Sequence, residues 1–321
     1  MKKKCLIVCG AGDPHGSSLE NALQTRGYDC ASQPFHPSEI ADGIIKWDIN
    51  GGWIFAKDGL KWQLSQIDII IWRFKPSVWQ PPFAFLDDED LSFRQREWFK
   101  FFSSFEAMCP NAFWCNTPMW SEYSGLKINQ LLAAYKAGMN VPETIITNDK
   151  KEIISKLENG QYIYKTLSHP FHNEKNIILS TKLDKSIIEN DLLDFSLSPN
   201  LIQKYIEKDY ELRVIFCCGE IKTVRILSQK NDRTKVDWRA DTYDKSIYSV
   251  FEIDAKIKKD IVSLMANLNL EFGILDFIVG KDGVVWFLEV NPSGQWLWID
   301  TLINSKITEF VAESLVSKKI T

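Results

Sequence analysis

The sequence predicts an α/β protein, with α+β character in its second half, built as three successive units. These are an N-terminal α/β domain over residues 1–118, a central α/β unit over 119–199 and a C-terminal unit over 200–321 dominated by an antiparallel sheet. Three observations carry this. The opening segment alternates short apolar runs with a helical stretch, as in small α/β domains. Two later stretches, ELRVIFCCGEIKTVRIL and FGILDFIVGKDGVVWFLEVNP, read as hairpins turning at Gly219 and at Asp282-Gly283. And 321 residues with 45% apolar side chains are enough for more than one well-buried core.

In the first unit, CLIVC (Cys5 to Cys9) is a buried strand, GAGDPHG a turn and SSLENALQTRG a helix capped at Gly27. Ile67 to Trp72 is a second buried strand, and LDDEDLSFRQREWFKFFSSFEAM reads as a capped amphipathic helix. In the second, Lys127 to Lys136 has helical spacing, Gly138 stops it and Pro142 begins an extended segment. Asp149 to Leu157, Tyr162 to Thr166 and Ile177 to Ser180 supply the mixed α/β middle. Asn200 to Ile206 (NLIQKYI) reads as a buried extended crossover into the last unit, where Ile253 to Leu268 is an amphipathic helix.

A net charge of -4 argues against broad binding to a phosphate backbone, so no nucleic-acid partner is expected. The apolar run after MKKK is too short for a signal peptide, and no stretch approaches a membrane span; a cytoplasmic location without membrane contact is expected. The seven cysteines have no regular spacing, and Cys217-Cys218 are adjacent, which suits reduced, mostly buried thiols.

The last hairpin holds the strongest chemistry. With a two-residue turn at Asp282-Gly283, Lys281 pairs with Val284, and counting outward sets Asp276 opposite Glu289. Paired residues share a face, and Asn291, two residues on, lies on the same one. Two facing carboxylates repel unless something positive stands between them. Two carboxylates and an amide oxygen suit Mg²⁺, with water and phosphate oxygens completing its shell. The other reading is an exposed face of solvated acids, and a one-residue slip would turn Asp276 away.

Cations that could grip phosphates lie elsewhere. Lys165 sits in a short apolar strand, and Lys127 opens a helix, a position suited to an anion. Arg213 and Arg225 flank the Gly219 turn. A three-residue loop would set them face to face, a two-residue loop would not, and both remain open. Asp237-Trp238-Arg239 lies in a polar stretch, where an arginine could close over a developing phosphoryl charge.

Taken in order, WCNTP, LKINQLLAAYKAGMNVPETIITND, YKTLS, LIQKYI with ELRV, VDWR, and FGILDFIV with VWFLEVNPSGQWLWID resemble the ATP-grasp superfamily, and within it the microviridin-type ribosomal-peptide maturases, or graspetide synthetases. The likeness runs from about Trp114 to Asp300. It implies an ATP-grasp fold with the nucleotide between the last two units. It implies Asp276, Glu289 and Asn291 as ligands of Mg²⁺, with two ions and Glu289 the bridge between them. It also implies Lys127 and Lys165 as nucleotide-binding lysines, and Gln203, Lys204, Tyr205 and Ile206 as the linker around the adenine. Arg213 and Arg225 would touch phosphate and acyl phosphate, and Arg239 the substrate. One departure is that SHPFHNEKNI, where a glycine-rich lid is usual, contains no glycine; His169, His172 or Lys175 would have to serve.

The reaction so implied is ADP-forming ligation: a carboxylate is activated as an acyl phosphate, then captured by a hydroxyl or amine. The expected partner is a precursor peptide with a leader and acidic plus Ser, Thr or Lys core residues, and the expected assembly a homodimer. The alternatives are an ATP-grasp ligase of free amino acids or other small molecules, and a dinucleotide-binding protein built on GAGDPHG, whose spacing departs from G-x-G-x-x-G.

Overall fold

The computed structural model describes residues 2–10, 13–35, 44–55, 61–73, 93, 97, 100–101, 103–168, 180–189, 195–230, 232–236, 238–240 and 244–318. The chain opens with β1 (Lys4–Gly10), α1 (Pro14–Gln24) and β2 (Asp29–Phe35). The expected turn GAGDPHG already contains the start of α1: the Asp13 side chain accepts from the His15 N–H, and Pro14 holds the first helical position. Gly27, at φ +87, ends the helix as its composition implies, with the Tyr28 N–H donating to the Leu23 carbonyl. Three short strands follow that the sequence reading passed over: β3 (Ile44–Asp48), β4 (Gly51–Phe55) and β5 (Lys61–Gln63), an antiparallel meander. Gly51 and Gly52 break the alternation that would have marked it, and a Cβ at Gly52 would come within 2.8 Å of Leu64 Cδ1.

β6 (Ile69–Trp72), α2 (Phe105–Met108) and β7 (Phe113–Cys115) complete the first unit. Of the acidic helix expected to run on to Met108, the described residues Phe93, Glu97, Lys100, Phe101 and Ser103 are helical, Ser104 is a turn and α2 follows it; its other residues lie outside the described residues. In the parallel sheet β2-β1-β6-β7 the inner strands β1 and β6 are buried on both faces, which is why they read as unbroken apolar runs. Leu6, Val8, Ile70 and Trp72 pack with Trp62, Leu64 and Phe105, and Cys5, Ile7, Ile69 and Ile71 pack with Leu19 and Leu23 of α1.

Next come α3 (Pro118–Gly125), α4 (Lys127–Lys136), β8 (Thr144–Thr147), α5 (Lys150–Glu158), β9 (Tyr162–Lys165), β10 (Thr181–Lys182), α6 (Lys185–Glu189) and β11 (Asn200–Lys204). Gly138, at φ +81, stops α4 as its position suggests. The four strands form an antiparallel sheet, β10-β9-β11-β8. β11 is therefore an inner strand of this middle sheet, paired with both β8 and β9, and not a connector. Of Ile177 to Ser180, expected as a piece of this mixed α/β unit, Ile177 to Leu179 lie outside the described residues.

The last unit contains β12 (Lys208–Cys217), β13 (Glu220–Ile226), β14 (Tyr248–Phe251), α7 (Ala255–Asn267), β15 (Phe272–Gly280), β16 (Val285–Asn291), α8 (Leu297–Ile303) and α9 (Ile307–Ser317). Its antiparallel sheet runs β14-β13-β12-β15-β16. On one face Leu212, Val214, Phe216, Leu275 and Phe277 pack against Ile261, Leu264 and Met265 of α7, Leu268 just after it, and Ala133 and Ala134 of α4. Each of these larger side chains contributes roughly 2 kcal/mol by leaving water. On the other face Ile215, Val224, Ile226 and Ile274 join Leu19, Leu23 and Ile71 of the first unit and Ile299, Ile307 and Val311 of α8 and α9. That face is apolar only in part. Toward β16 it carries Glu211, Arg213, Asp276 and Glu289, all on alternate positions of their strands. All seven cysteines are free thiols, six of them buried.

Candidate active site

The expected pairing of Asp276 with Glu289 is present, but it arises differently. The turn holds three residues, not two: the Gly280 N–H donates to the Val284 carbonyl and the Gly283 N–H to the Gly280 carbonyl, both at 2.9 Å, with Gly283 at φ +78. Beyond it Val279 faces Val285 and Phe277 faces Phe287, a register that would leave Asp276 opposite Leu288. A bulge at Leu288 then returns the register by one, so that Asp276 faces Glu289 and Ile274 faces Asn291. Two one-residue departures cancel at the carboxylates.

Positive charge stands between the two acids, as their proximity requires. One nitrogen, Arg239 Nη2, donates to Asp276 Oδ2 and to Glu289 Oε1, each at 3.0 Å. Arg213 Nη1 donates to Asp276 Oδ1 at 2.8 Å, and its Nη2 donates to the Gln295 carbonyl at 2.9 Å. Lys127, the first residue of α4, brings Nζ to 3.5 Å from Glu289 Oε2. Burial by itself would raise the Glu289 pKa; Lys127, Arg239 and Lys165 overcome it and hold the carboxyl at about 2. It is therefore ionised at neutral pH.

Both arginines rest on aromatic rings. The guanidinium carbons of Arg213 and Arg239 lie 5.4 and 5.0 Å from the Trp238 ring centre. Trp238 in turn stacks on Trp298 at 5.0 Å. The Trp238-Arg239 segment is tied to the sheet by Lys208, whose Nζ donates to Glu211 Oε1 at 2.7 Å and to the Val236 carbonyl at 3.0 Å. Burial pushes the Glu211 pKa up, with Lys208 opposing it. Asp237 lies outside the described residues.

Arg225 does not join this group. The hairpin at Gly219 closes with a two-residue turn, Cys218-Gly219, so Arg213 faces Val224 and Arg225 faces Leu212. Arg225 thus projects from the face of the sheet opposite Asp276 and Glu289, over Tyr210 and Phe251.

The middle sheet presents the remaining expected residues. Lys165 Nζ donates to Gln203 Oε1 at 2.8 Å, and Gln203 Nε2 donates to Thr144 Oγ1 at 2.9 Å. Gln203 is buried, so its amide fixes the lysine, whose charge also reaches Glu289. The Lys204 N–H donates to the Glu143 carbonyl and the Tyr205 N–H to the Gln161 carbonyl, so sheet bonding runs through the linker as far as Tyr205, ahead of Ile206. Lys182 Nζ sits 3.7 Å above the Tyr205 ring. The lid candidates His169, His172 and Lys175 lie outside the described residues.

Two polar residues that sequence reasoning passed over hold the carboxylate strands in place. Asn116, in a left-handed conformation at φ +64, accepts from the N–H groups of Glu271 and Phe272 and donates to the carbonyls of Phe272 and Pro292. Gln130 donates to the Val290 carbonyl at 2.7 Å and accepts from the Val290 N–H at 3.0 Å, pinning the residue between Glu289 and Asn291. Both stand in stretches noted for their resemblance, WCNTP and LKINQLL. Neither has a periodic signal of its own.

Asp276, Glu289 and Asn291 are the residues that could hold a hard divalent cation. The Arg239 nitrogen marks a point where positive charge meets both carboxylates, and the donors are all oxygens. The Asn291 side-chain oxygen accepts from the Ser293 N–H at 3.1 Å, which orients it. Among the described residues no group of three or more His, Cys, Asp or Glu side chains gathers as a metal cage. Two carboxylates and an amide leave most of a Mg²⁺ shell to water and phosphate.

Breaking the buried Arg213–Asp276 pair tests this arrangement. Both side chains are under a tenth exposed. Arg213→Met is expected to cost about 2–4 kcal/mol in urea unfolding, because it leaves the buried Asp276 carboxylate with the half-exposed Arg239 as its remaining cationic partner. A loss below about 1 kcal/mol would show the pair to be solvated.

No family's sequence model matches the chain, and no curated protein matches it by sequence. Solved structures do match it in fold. A RiPP-associated ATP-grasp ligase of Chryseobacterium gregarium, in complex with ADP and a leader and core peptide, superposes with a TM-score of 0.81 at 20% identity, over 98% of this chain and 97% of that one. The macrocyclase MdnC of Microcystis aeruginosa MRC, bound with precursor peptide MdnA, gives 0.80 at 22% identity over 98% and 100%. The ATP-grasp ligase PsnB, complexed with a phosphomimetic variant of its minimal precursor, Mg and ADP, gives 0.74 at 19% identity over 99% of each chain.

Proposed function

We propose that this chain, which carries the ATP-grasp fold along nearly its whole length, is an ADP-forming ligase that makes ester or amide side-chain bonds, closing macrocycles in a ribosomally made precursor peptide. The observation that carries the proposal is the Asp276–Glu289 pair with one cationic nitrogen between its carboxylates and Arg213 and Lys127 against its outer oxygens. Structures of similar fold hold ADP, Mg and precursor peptides.

In this reading ATP lies between the middle and C-terminal sheets. Gln203, Lys204, Tyr205 and Ile206 border the adenine, and Lys165 and Lys127, whose charges both reach Glu289, face the phosphates. Asp276, Glu289 and Asn291 would hold Mg²⁺, with two ions expected, and bound there it would neutralise the phosphate oxygens and orient the γ-phosphoryl group. Arg213, anchored by the Gln295 carbonyl, keeps Asp276 in place. Arg239, 40% exposed, can leave the carboxylates for the transferring phosphoryl group.

A carboxylate oxygen of a substrate Asp or Glu attacks the γ-phosphorus, and ADP leaves with the bridging oxygen. A Ser or Thr hydroxyl or a Lys amine then attacks the acyl carbon, losing its proton, and phosphate departs. The net change in the peptide is the loss of one water per bond. The chain contributes positioning and charge, and needs no nucleophile of its own.

A homodimer fits the exposed apolar side chains Ile128, Leu132 and Tyr135, spaced along one face of α4, with Met119 and Tyr123 on α3. Among the described residues no helix is long and apolar enough to cross a membrane.

Co-expression with short peptides encoded beside the gene tests the proposal by intact mass. Loss of one water per bond is the expected result. A mass gain equal to an amino acid less one water would replace the cyclase with a ligase of free small molecules. Unchanged masses across every such peptide would overturn the peptide reading.

A further inference from the structure

Asn291 is followed at once by the loop Pro292–Trp296, and the first unit of the chain grips that loop with side chains no part of the mechanism uses. His15 and Arg73 are 3% and 5% exposed. His15 Nε2 accepts from the Trp296 N–H at 3.0 Å and the Leu297 N–H at 3.3 Å. An imidazole nitrogen that accepts carries no proton, so the ring's hydrogen is on Nδ1 and donates to Asp13 Oδ1 at 2.6 Å. Arg73 Nε donates to Asp13 Oδ2 at 3.2 Å, and both Arg73 Nη atoms donate to the Gly294 carbonyl at 3.4 Å. The same guanidinium lies 4.6 Å from the Trp296 ring centre.

The loop has little room to adjust. A Cβ at Gly294 would lie 2.7 Å from Ile274 Cβ, and Ile274 is the strand partner of Asn291. Across the loop, Arg213 bonds the Gln295 carbonyl while also bonding Asp276. One short segment thus joins a metal-ligand candidate, the anchor of a site arginine and a histidine from β1–α1.

We propose that Asp13, His15 and Arg73 form a clamp through which the first unit sets the 291–296 loop, making neutral His15 a positioning residue for Asn291 and Arg213; this rests on the reaction proposed above. The groups facing His15 are Asp13 beside it, Arg73 from the end of β6, and Asp300 from α8. Burial lowers the His15 pKa below its ordinary 6.5, which keeps the accepting form in place at neutral pH. Burial would raise Asp13, but His15 and Arg73 hold it at about 2, so it stays an acceptor. Because the folded His15 pKa is depressed, the clamp's contribution is complete above 6.5 and is lost as pH falls below that value toward the folded one.

Two measurements on the full chain test this. The first is deuterium uptake by the 291–297 segment in ligand-free protein, corrected for intrinsic exchange. The parent is expected to protect the Trp296 and Leu297 amides at neutral pH and lose protection in acid; His15→Leu should lack it throughout, and His15→Gln, whose side-chain oxygen can accept, should regain it. Parent protection with no acid limb, or equal protection in His15→Leu, overturns the clamp. If His15→Leu does not fold, the parent's acid limb and His15→Gln decide.

The second is the Mg²⁺ dependence of ATP binding by calorimetry. His15→Leu is expected to need about tenfold more Mg²⁺ for half-saturation, with His15→Gln close to the parent. An unchanged Mg²⁺ requirement in His15→Leu reduces the clamp to a structural contact and overturns the positioning role. A parent that binds no ATP at any Mg²⁺ concentration overturns the proposed ligase and the positioning role with it, while the exchange data still decide whether His15 holds the loop.

Discussion

Glu289→Gln is expected to lower ADP formation by on the order of 10³-fold in a protein that still folds. The substitution keeps size and shape but removes the charge that Lys127, Arg239 and Lys165 face together. In the parent that carboxyl is held at about 2, so it is an anion under any working condition and available to a divalent cation. The glutamine oxygen is a weaker donor to Mg²⁺, and the local balance shifts toward positive, which opposes the cation further. Glu289 is a third exposed and its backbone stays paired with Asp276, so near-native circular dichroism is expected. ADP formation within about tenfold of the parent would sink the metal assignment.

Arg239→Ala is the second large expectation: bond formation slowed roughly 10²-fold, with ATP affinity changed by less than about threefold. Arg239 is the most exposed of the cations at the carboxylates and is carried on a short turn, whereas Arg213 is buried and doubly anchored. That difference assigns mobility to one and fixed support to the other. Arg239→Lys separates two roles. A lysine restores positive charge beside Asp276 and Glu289 but not a planar fork for phosphate, so it should leave most of the defect in place. Measuring ATP binding and single-turnover product formation in the same variants decides this. Equal losses in both, or none in either, would remove Arg239 from the chemical step.

The carboxylate hairpin shows how a sequence reading can reach the right pair by the wrong route. Asp282-Gly283 suggested a two-residue turn, but a third residue enters and Gly283 alone takes the left-handed conformation. The bulge at Leu288 compensates, and nothing in VWFLEVN announces it. At Gly219 the turn length was open, and the two-residue form sends Arg225 to the helix-covered face. A one-residue choice there separates an active-site arginine from one that lies over Tyr210 and Phe251. The β3–β5 meander escaped notice because its strands are short and interrupted by Gly51-Gly52.

The sequence alone determined the α/β opening, the α4 and α7 helices, the two C-terminal hairpins, and the candidate ligands Asp276, Glu289 and Asn291 with Lys127, Lys165 and Arg239 around them. Those features rest on periodicity, turn chemistry and ordered motifs, all of which act between residues close in the chain. Only the tertiary structure decided that Arg225 stands apart, that β11 belongs to the middle sheet, and that Asn116, Gln130, His15 and Arg73 hold the strands and loop bearing the ligands. The bonds by which those four side chains hold the ligand-bearing strands and loop each join groups more than 150 positions apart. A buried polar side chain is satisfied by whatever backbone the fold brings to it, and that partner leaves no mark on the residues beside it in sequence.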